Sequence, residues 1–107
     1  MPVIHLEFDD TKVSSEEARA LSEAIRTIVS EVTKIEDVMV YGRTSEIKIN
    51  VHPIEIWVSM SAHKIENVDV LLGLFRDRLV EWKKETVCIH PVNLTLIPEP
   101  WKFVIGI

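Results

Sequence analysis

The sequence predicts an α+β fold made of two pseudo-repeated β-α-β units, and three observations carry that prediction. Two stretches with helical apolar spacing, Leu21 to Val32 and Val68 to Trp82, each lie between stretches in which apolar and polar residues alternate. Equivalent elements of the two halves recur at an offset of roughly 50 residues, which marks an internal repeat. Both alternating stretches of the second half follow a His-Pro pair, His52-Pro53 and His90-Pro91, as turn chemistry at strand starts requires. The chain reads as one domain over 1–107, with pseudo-repeats of about 1–50 and 51–107.

Val3 to Phe8 alternate as a first strand, and Asp9-Asp10-Thr11-Lys12 follow as a loop. Ser14 with Glu17 three places on forms a capping box, so a helix starts there. Leu21, Ala24, Ile25, Ile28, Val29 and Val32 give it one apolar face, and it ends near Lys34. Val38 to Tyr41 is a short strand stopped by Gly42, with a turn over 42–45, and Ile47, Ile49 and Val51 alternate in another strand. Ile54 to Met60 opens the second half. Asn67 then caps a helix with Val68, Leu71, Leu72, Phe75, Leu79 and Trp82 on its apolar face, lasting to about Lys84. Val92, Leu94 and Leu96 alternate in a last strand before Pro98-Glu99-Pro100. The closing run from Trp101 to Ile107 is too apolar to hang in water, and a neighbouring subunit's sheet edge is its expected host.

Composition narrows the function. With 47% hydrophobic and 27% charged residues, the chain can bury a core and is not disordered. Its net charge of -5 comes from interspersed acids and bases, without a basic cluster, so nucleic acid is not an expected partner. Cys88 is the only cysteine, and no signal-like or membrane-anchoring stretch is present, which together predict a cytoplasmic location. His5, His52, His63 and His90 are scattered, with no i, i+4 pair, so no metal site is expected. Cys88 has no cation within two positions and reads as a small apolar side chain rather than a nucleophile.

Met1-Pro2 carries the chemistry. Once the initiator Met is removed, Pro2 opens the first strand with a free secondary amine. An α-amino group ordinarily titrates near pH ~8. Desolvation and neighbouring cations both disfavour the ammonium form and bring the amine towards neutrality, where a general base works best. An acidic keto or enol substrate also needs a cation for its carboxylate. Lys12, Lys34 and Arg43 are the candidates, Arg43 through a two-bond fork. Trp101 is a candidate apolar wall that excludes water from the amine.

Met1-Pro2-Val3-Ile4 together with the doubled β-α-β layout resembles the tautomerase superfamily, the group of 4-oxalocrotonate tautomerase, 5-carboxymethyl-2-hydroxymuconate isomerase, malonate semialdehyde decarboxylase and macrophage migration inhibitory factor. The resemblance implies a four-stranded sheet with two helices on one face plus short extra strands. It implies an N-terminal proline as the catalytic base or acid, no cofactor or metal, and a homotrimer with pockets between subunits. In the short enzymes an arginine follows the first strand, where this chain has Lys12. They also carry an arginine between two valines after the first helix, where this chain has Met39, a departure that argues against a dicarboxylate substrate like theirs. Lys34 resembles the lysine that ends the first helix of migration inhibitory factor, and Asn93 the asparagine of its late strand. The resemblance therefore implies a small keto or enol acid substrate, with Pro2 catalytic and Lys12, Lys34 and Asn93 around it, to which the reading of the residues themselves adds Arg43 and Trp101. Decarboxylation or hydration would use the same proline. The alternatives are a non-catalytic oligomeric binding module with the same fold and a ferredoxin-like domain, which shares the β-α-β-β-α-β order.

Overall fold

The computed structural model describes residues 1–107. Strand β1 is Val3–Phe8, helix α1 Ser15–Thr33, β2 Met39–Arg43 and β3 Ile54–Ser61. A single 3-10 turn, Ala62–Lys64, then leads to α2, Val68–Thr86, and β4, Val92–Glu99. The capping box at the start of α1 is formed as expected. Ser14 Oγ accepts from the Glu17 N–H at 3.1 Å, and Glu17 Oε1 accepts from the Ser14 N–H at 2.9 Å. Asn67 Oδ1 caps α2 by accepting from the Val70 N–H at 3.1 Å. Glu17 Oε2 also lies 2.7 Å from His90 Nε2, which ties the entry of β4 to the start of α1.

Both helices end on a left-handed residue, Lys34 at φ 62 and Val87 at φ 56. A β-branched side chain is strained there, by about 1–2 kcal/mol. Val87 is 79% exposed and so has little packing to lose. Val87→Gly is therefore expected to raise stability by about 1 kcal/mol in urea unfolding; an unchanged or lower midpoint would contradict that strain.

The sheet order is β2-β1-β3-β4. β1 and β2 run parallel, from Val3 beside Met39 to Glu7 beside Arg43, and β3 and β4 run parallel from Ile54 beside Val92 to Ser61 beside Glu99. The two β-α-β units meet through the antiparallel pair β1 and β3. Because β1 and β2 are direct neighbours, the ferredoxin-like arrangement, a split β-α-β sheet, is excluded. Alternation sends Ile4, Leu6, Ile54, Ile56, Val58 and Met60 to one face, where they meet Leu21, Ile25 and Val29 of α1 and Phe75 and Leu79 of α2. The opposite face carries no helix. There His5 is exposed and stacks on Tyr41 of β2, with ring centroids 5.6 Å apart.

Two sequence expectations are corrected. No strand forms over Ile47, Ile49 and Val51. Ile47 and Ile49 are 81% and 83% exposed, and Asn50 takes a left-handed φ of 55, which breaks strand geometry. Gly42 does not stop β2, which continues through Arg43 because the parallel register beside Glu7 holds it. The apolar tail 101–107 forms no strand within the chain, as a segment expected to pair with a neighbouring subunit would not.

Candidate active site

The chain directions sort the candidate residues between two ends of the sheet. α1 returns antiparallel to β1, so its last residues lie at the Pro2 end. β3 runs towards that same end, and α2 starts there. Three of the sequence candidates, Pro2, Lys34 and Trp101, gather at this end. Arg43, Asn93 and Lys12 lie at the other. Glu7, the register partner of Arg43, is five residues beyond Pro2 along β1, a separation of roughly 16 Å at ~3.3 Å per residue.

Pro2 is fully buried, and its carbonyl accepts from the Met39 N–H at 3.2 Å. Continuing the register of Val3 beside Ser59 by one place sets Pro2 opposite Met60, on the helix-covered face. Met60 forms part of the wall of a cavity of about 630 Å³ between the end of α1 and the start of α2. Lys34 and Ile35 line it from just past α1, Lys64, Ile65 and Glu66 from the end of the turn and the segment after it, and Val70, Leu71 and Leu74 from α2. Neither lysine takes part in an ion pair. Trp101 is half-buried beyond the end of β4 and does not line this cavity.

The far end is a self-satisfied polar clip. Arg43 Nε donates to Glu7 Oε1 at 3.0 Å and Ser45 Oγ to Glu7 Oε2 at 2.8 Å. Lys48 Nζ reaches Asp10 Oδ1 and the Ser45 carbonyl, each at 2.8 Å, and so pins the 44–53 loop. Asn93 Nδ2 donates to Glu55 Oε1 at 2.8 Å. Lys12 is exposed beside Asp9, whose carboxyl is held below its usual range by the Thr11 hydroxyl and then the Thr11 N–H. The Ser45 hydroxyl, then the Arg43 guanidinium, likewise hold the Glu7 carboxyl low against an opposing desolvation. A carboxylate depressed in the folded state contributes stability above its ordinary value, 4.5 for Glu7, and loses it as pH falls through the folded value. Glu7→Gln is expected to lower stability at pH 7 by no more than about 1 kcal/mol, because Arg43 is 70% exposed. That deficit should shrink as denaturation is repeated at falling pH below 4.5; a deficit that grows on acidification would reverse the assignment.

Lys64 is the cavity residue that sequence reasoning missed. Its signal was available: it stands three places before the Asn67 cap, as Lys34 stands just past the end of α1. No group of three or more His, Cys, Asp or Glu side chains converges as a metal site would require. No helix is long and apolar enough to cross a membrane.

No protein-family profile matches the chain, and no curated protein matches it. Solved structures do. MIF2 of Leishmania major aligns at a TM-score of 0.67 and 17% identity over 99% of this chain and 95% of that one. An FG41 malonate semialdehyde decarboxylase, inhibited by 3-bromopropiolate, aligns at 0.66 and 15% identity over 97% of this chain and 90% of that one. A domain of unknown function from Sebaldella termitidis aligns at 0.60 and 16% identity over 100% and 98%. These likenesses establish the tautomerase and MIF-like fold, an α+β architecture that hosts both enzymes and a domain without assigned activity.

Proposed function

We propose that this chain is a cofactor-independent keto-enol tautomerase or isomerase whose base is the imino nitrogen of Pro2, freed by removal of Met1. The observation that carries this reading is the burial of Pro2 opposite Met60, the wall of a cavity bearing two cations without carboxylate partners. The neutral amine takes a proton from the carbon beside a substrate carbonyl, and the carbonyl oxygen, now an enolate, is protonated in turn. The burial of Pro2 keeps the amine neutral enough to act. Lys34 holds the carboxylate of a small keto or enol acid. Decarboxylation or hydration of a related acid would use the same base.

The reading includes a cytoplasmic homotrimer of one-domain subunits, each two fused copies of one unit. The exposed apolar tail, with Val104 77% and Ile105 67% exposed, and the helix-free sheet face both favour association. A neighbouring subunit would bring Arg43, Asn93 and Lys12 towards the Pro2 end, and its contact would enclose Trp101. The test is tautomerisation of phenylenolpyruvate by wild type and Pro2→Ala. The variant is expected to be slower, and equal rates would overturn the reading.

The second reading is a non-catalytic oligomeric binding module. It is favoured by Met39 in the place of a cation and by the engagement of Arg43 and Asn93 with Glu7 and Glu55. Retention of Met1, seen by intact mass on protein from its native source, would leave Pro2 without a basic lone pair and select this reading.

A further inference from the structure

Ser61 ends β3 with a hydroxyl that bonds to nothing. It is 1% exposed, and its Oγ is the one buried side-chain oxygen or nitrogen of the chain without a hydrogen-bond partner. A buried polar group left in that state is a standing cost to folding, and each such exception has a cause. Two ordinary outlets are close to it and unused. Ser61 caps the 3-10 turn, yet its side chain accepts no backbone N–H there, and Glu99 stands beside it in register without bonding it. We infer that Ser61 is a positioning residue for Pro2: once Met1 is removed, its hydroxyl accepts a hydrogen bond from the Pro2 N–H and so aims the nitrogen lone pair at the substrate. This inference rests on the reading of Pro2 as the base and deepens it.

Strand register brings the two groups together. Val3 lies opposite Ser59 in the antiparallel pair, so one place further Pro2 lies opposite Met60. The Pro2 nitrogen is on the Met1 side of its Cα. Because the strands run in opposite directions, it stands abreast of the link between Met60 and Ser61, across a strand spacing of about 4.8 Å. In the chain that carries Met1 this nitrogen is a tertiary amide with no hydrogen, so the hydroxyl has no donor to meet. Removal of Met1 supplies one, since the nitrogen becomes pyramidal, with one N–H and one lone pair outside the ring. With the N–H held by Ser61, the lone pair is left to take the substrate proton. The protonated amine then has two N–H bonds, one kept on Ser61 and one free to return its proton.

The experiment follows the Pro2 Cδ resonance through a pH titration of protein without Met1, its processing verified by intact mass. Losing an acceptor for the charged amine should move the titration of Ser61→Ala down by about half a pH unit, roughly a threefold change in proton affinity. The acid limb of kcat/KM for an enol acid should move with it. Lys34, Asp37, His63, Lys64, Glu66 and Glu99 stand at this end of the sheet. All are common to both proteins, so the difference belongs to position 61. Ser59→Ala, two places back on the same face of β3, should leave the titration where it is. In the form that keeps Met1, Ser61→Ala should melt no lower than wild type, since no hydrogen bond is lost. An unmoved Pro2 titration in Ser61→Ala, an equal shift in Ser59→Ala, or a lower melt of the Met1-bearing Ser61→Ala would each overturn the inference. A Pro2 titration that depends on Ser61 in a protein without turnover would leave this contact standing and remove the catalytic reading. An active enzyme whose Pro2 titration ignores Ser61 would do the reverse.

Discussion

Truncating Phe75 to alanine is expected to remove about 3–5 kcal/mol of folding stability. Phe75 is fully inaccessible and is the largest of the fully buried side chains. It is the main anchor by which α2 holds the sheet, since only Phe75 and Leu79 of that helix are buried. The change forfeits the transfer energy of the ring and leaves a space that a sheet and two helices cannot close without shifting. Against a typical total of about 5–15 kcal/mol, such a loss is a large fraction of the whole stability. Val80→Ala, on the same helix but 46% exposed, should cost less than about 1 kcal/mol. Urea denaturation of both variants checks the contrast, and comparable small losses would mean that α2 is held by something other than this core. The consequence reaches the cavity at the Pro2 end of the sheet, because the first turns of α2 form one of its walls.

The elements were legible in the sequence wherever local chemistry agreed with the packing. Ser14 with Glu17 and Asn67 fixed both helix starts, and the alternation of Ile54, Ile56, Val58 and Met60 marked a strand buried on one face. The Ile47, Ile49 and Val51 pattern failed because alternation records only a spacing. Lys48, between the two isoleucines, is drawn to Asp10 and the Ser45 carbonyl, and Asn50 takes a left-handed turn. Periodicity cannot show which long-range polar partner a residue will find. The same limit governed the site. That Pro2 and Lys34 share one end of the sheet was readable because each sits at the end of an element, whereas the partners of Arg43 and Asn93 emerged only when strand register placed them beside Glu7 and Glu55. Lys64 stood three places before the Asn67 cap, but that position alone could not show that the end of α1 and the start of α2 share a cavity.

The sharpest functional contrast compares protein that retains Met1 with protein from which Met1 has been removed. In the first, the Pro2 nitrogen is a tertiary amide whose lone pair is delocalised into the Met1 carbonyl, so it cannot accept a proton near neutral pH. In the second it is a secondary amine at a buried strand end, where desolvation favours its neutral, basic form. Positioned general bases contribute typically about 10²–10⁴-fold, so kcat/KM for an enol acid is expected to fall at least about 100-fold when Met1 stays. The fold should not change. The Pro2 carbonyl keeps its bond from the Met39 N–H in either form, and the ladder from Val3 onward involves no atom of Met1. Matching thermal melts would therefore assign the difference to chemistry rather than to unfolding. Pro2→Ala freed of its methionine should fall between the two, since a primary amine remains but the ring that fixes its direction is gone. A Met1-bearing protein that turns over as fast as the processed one would remove the base from the mechanism and leave the cavity as a binding site alone.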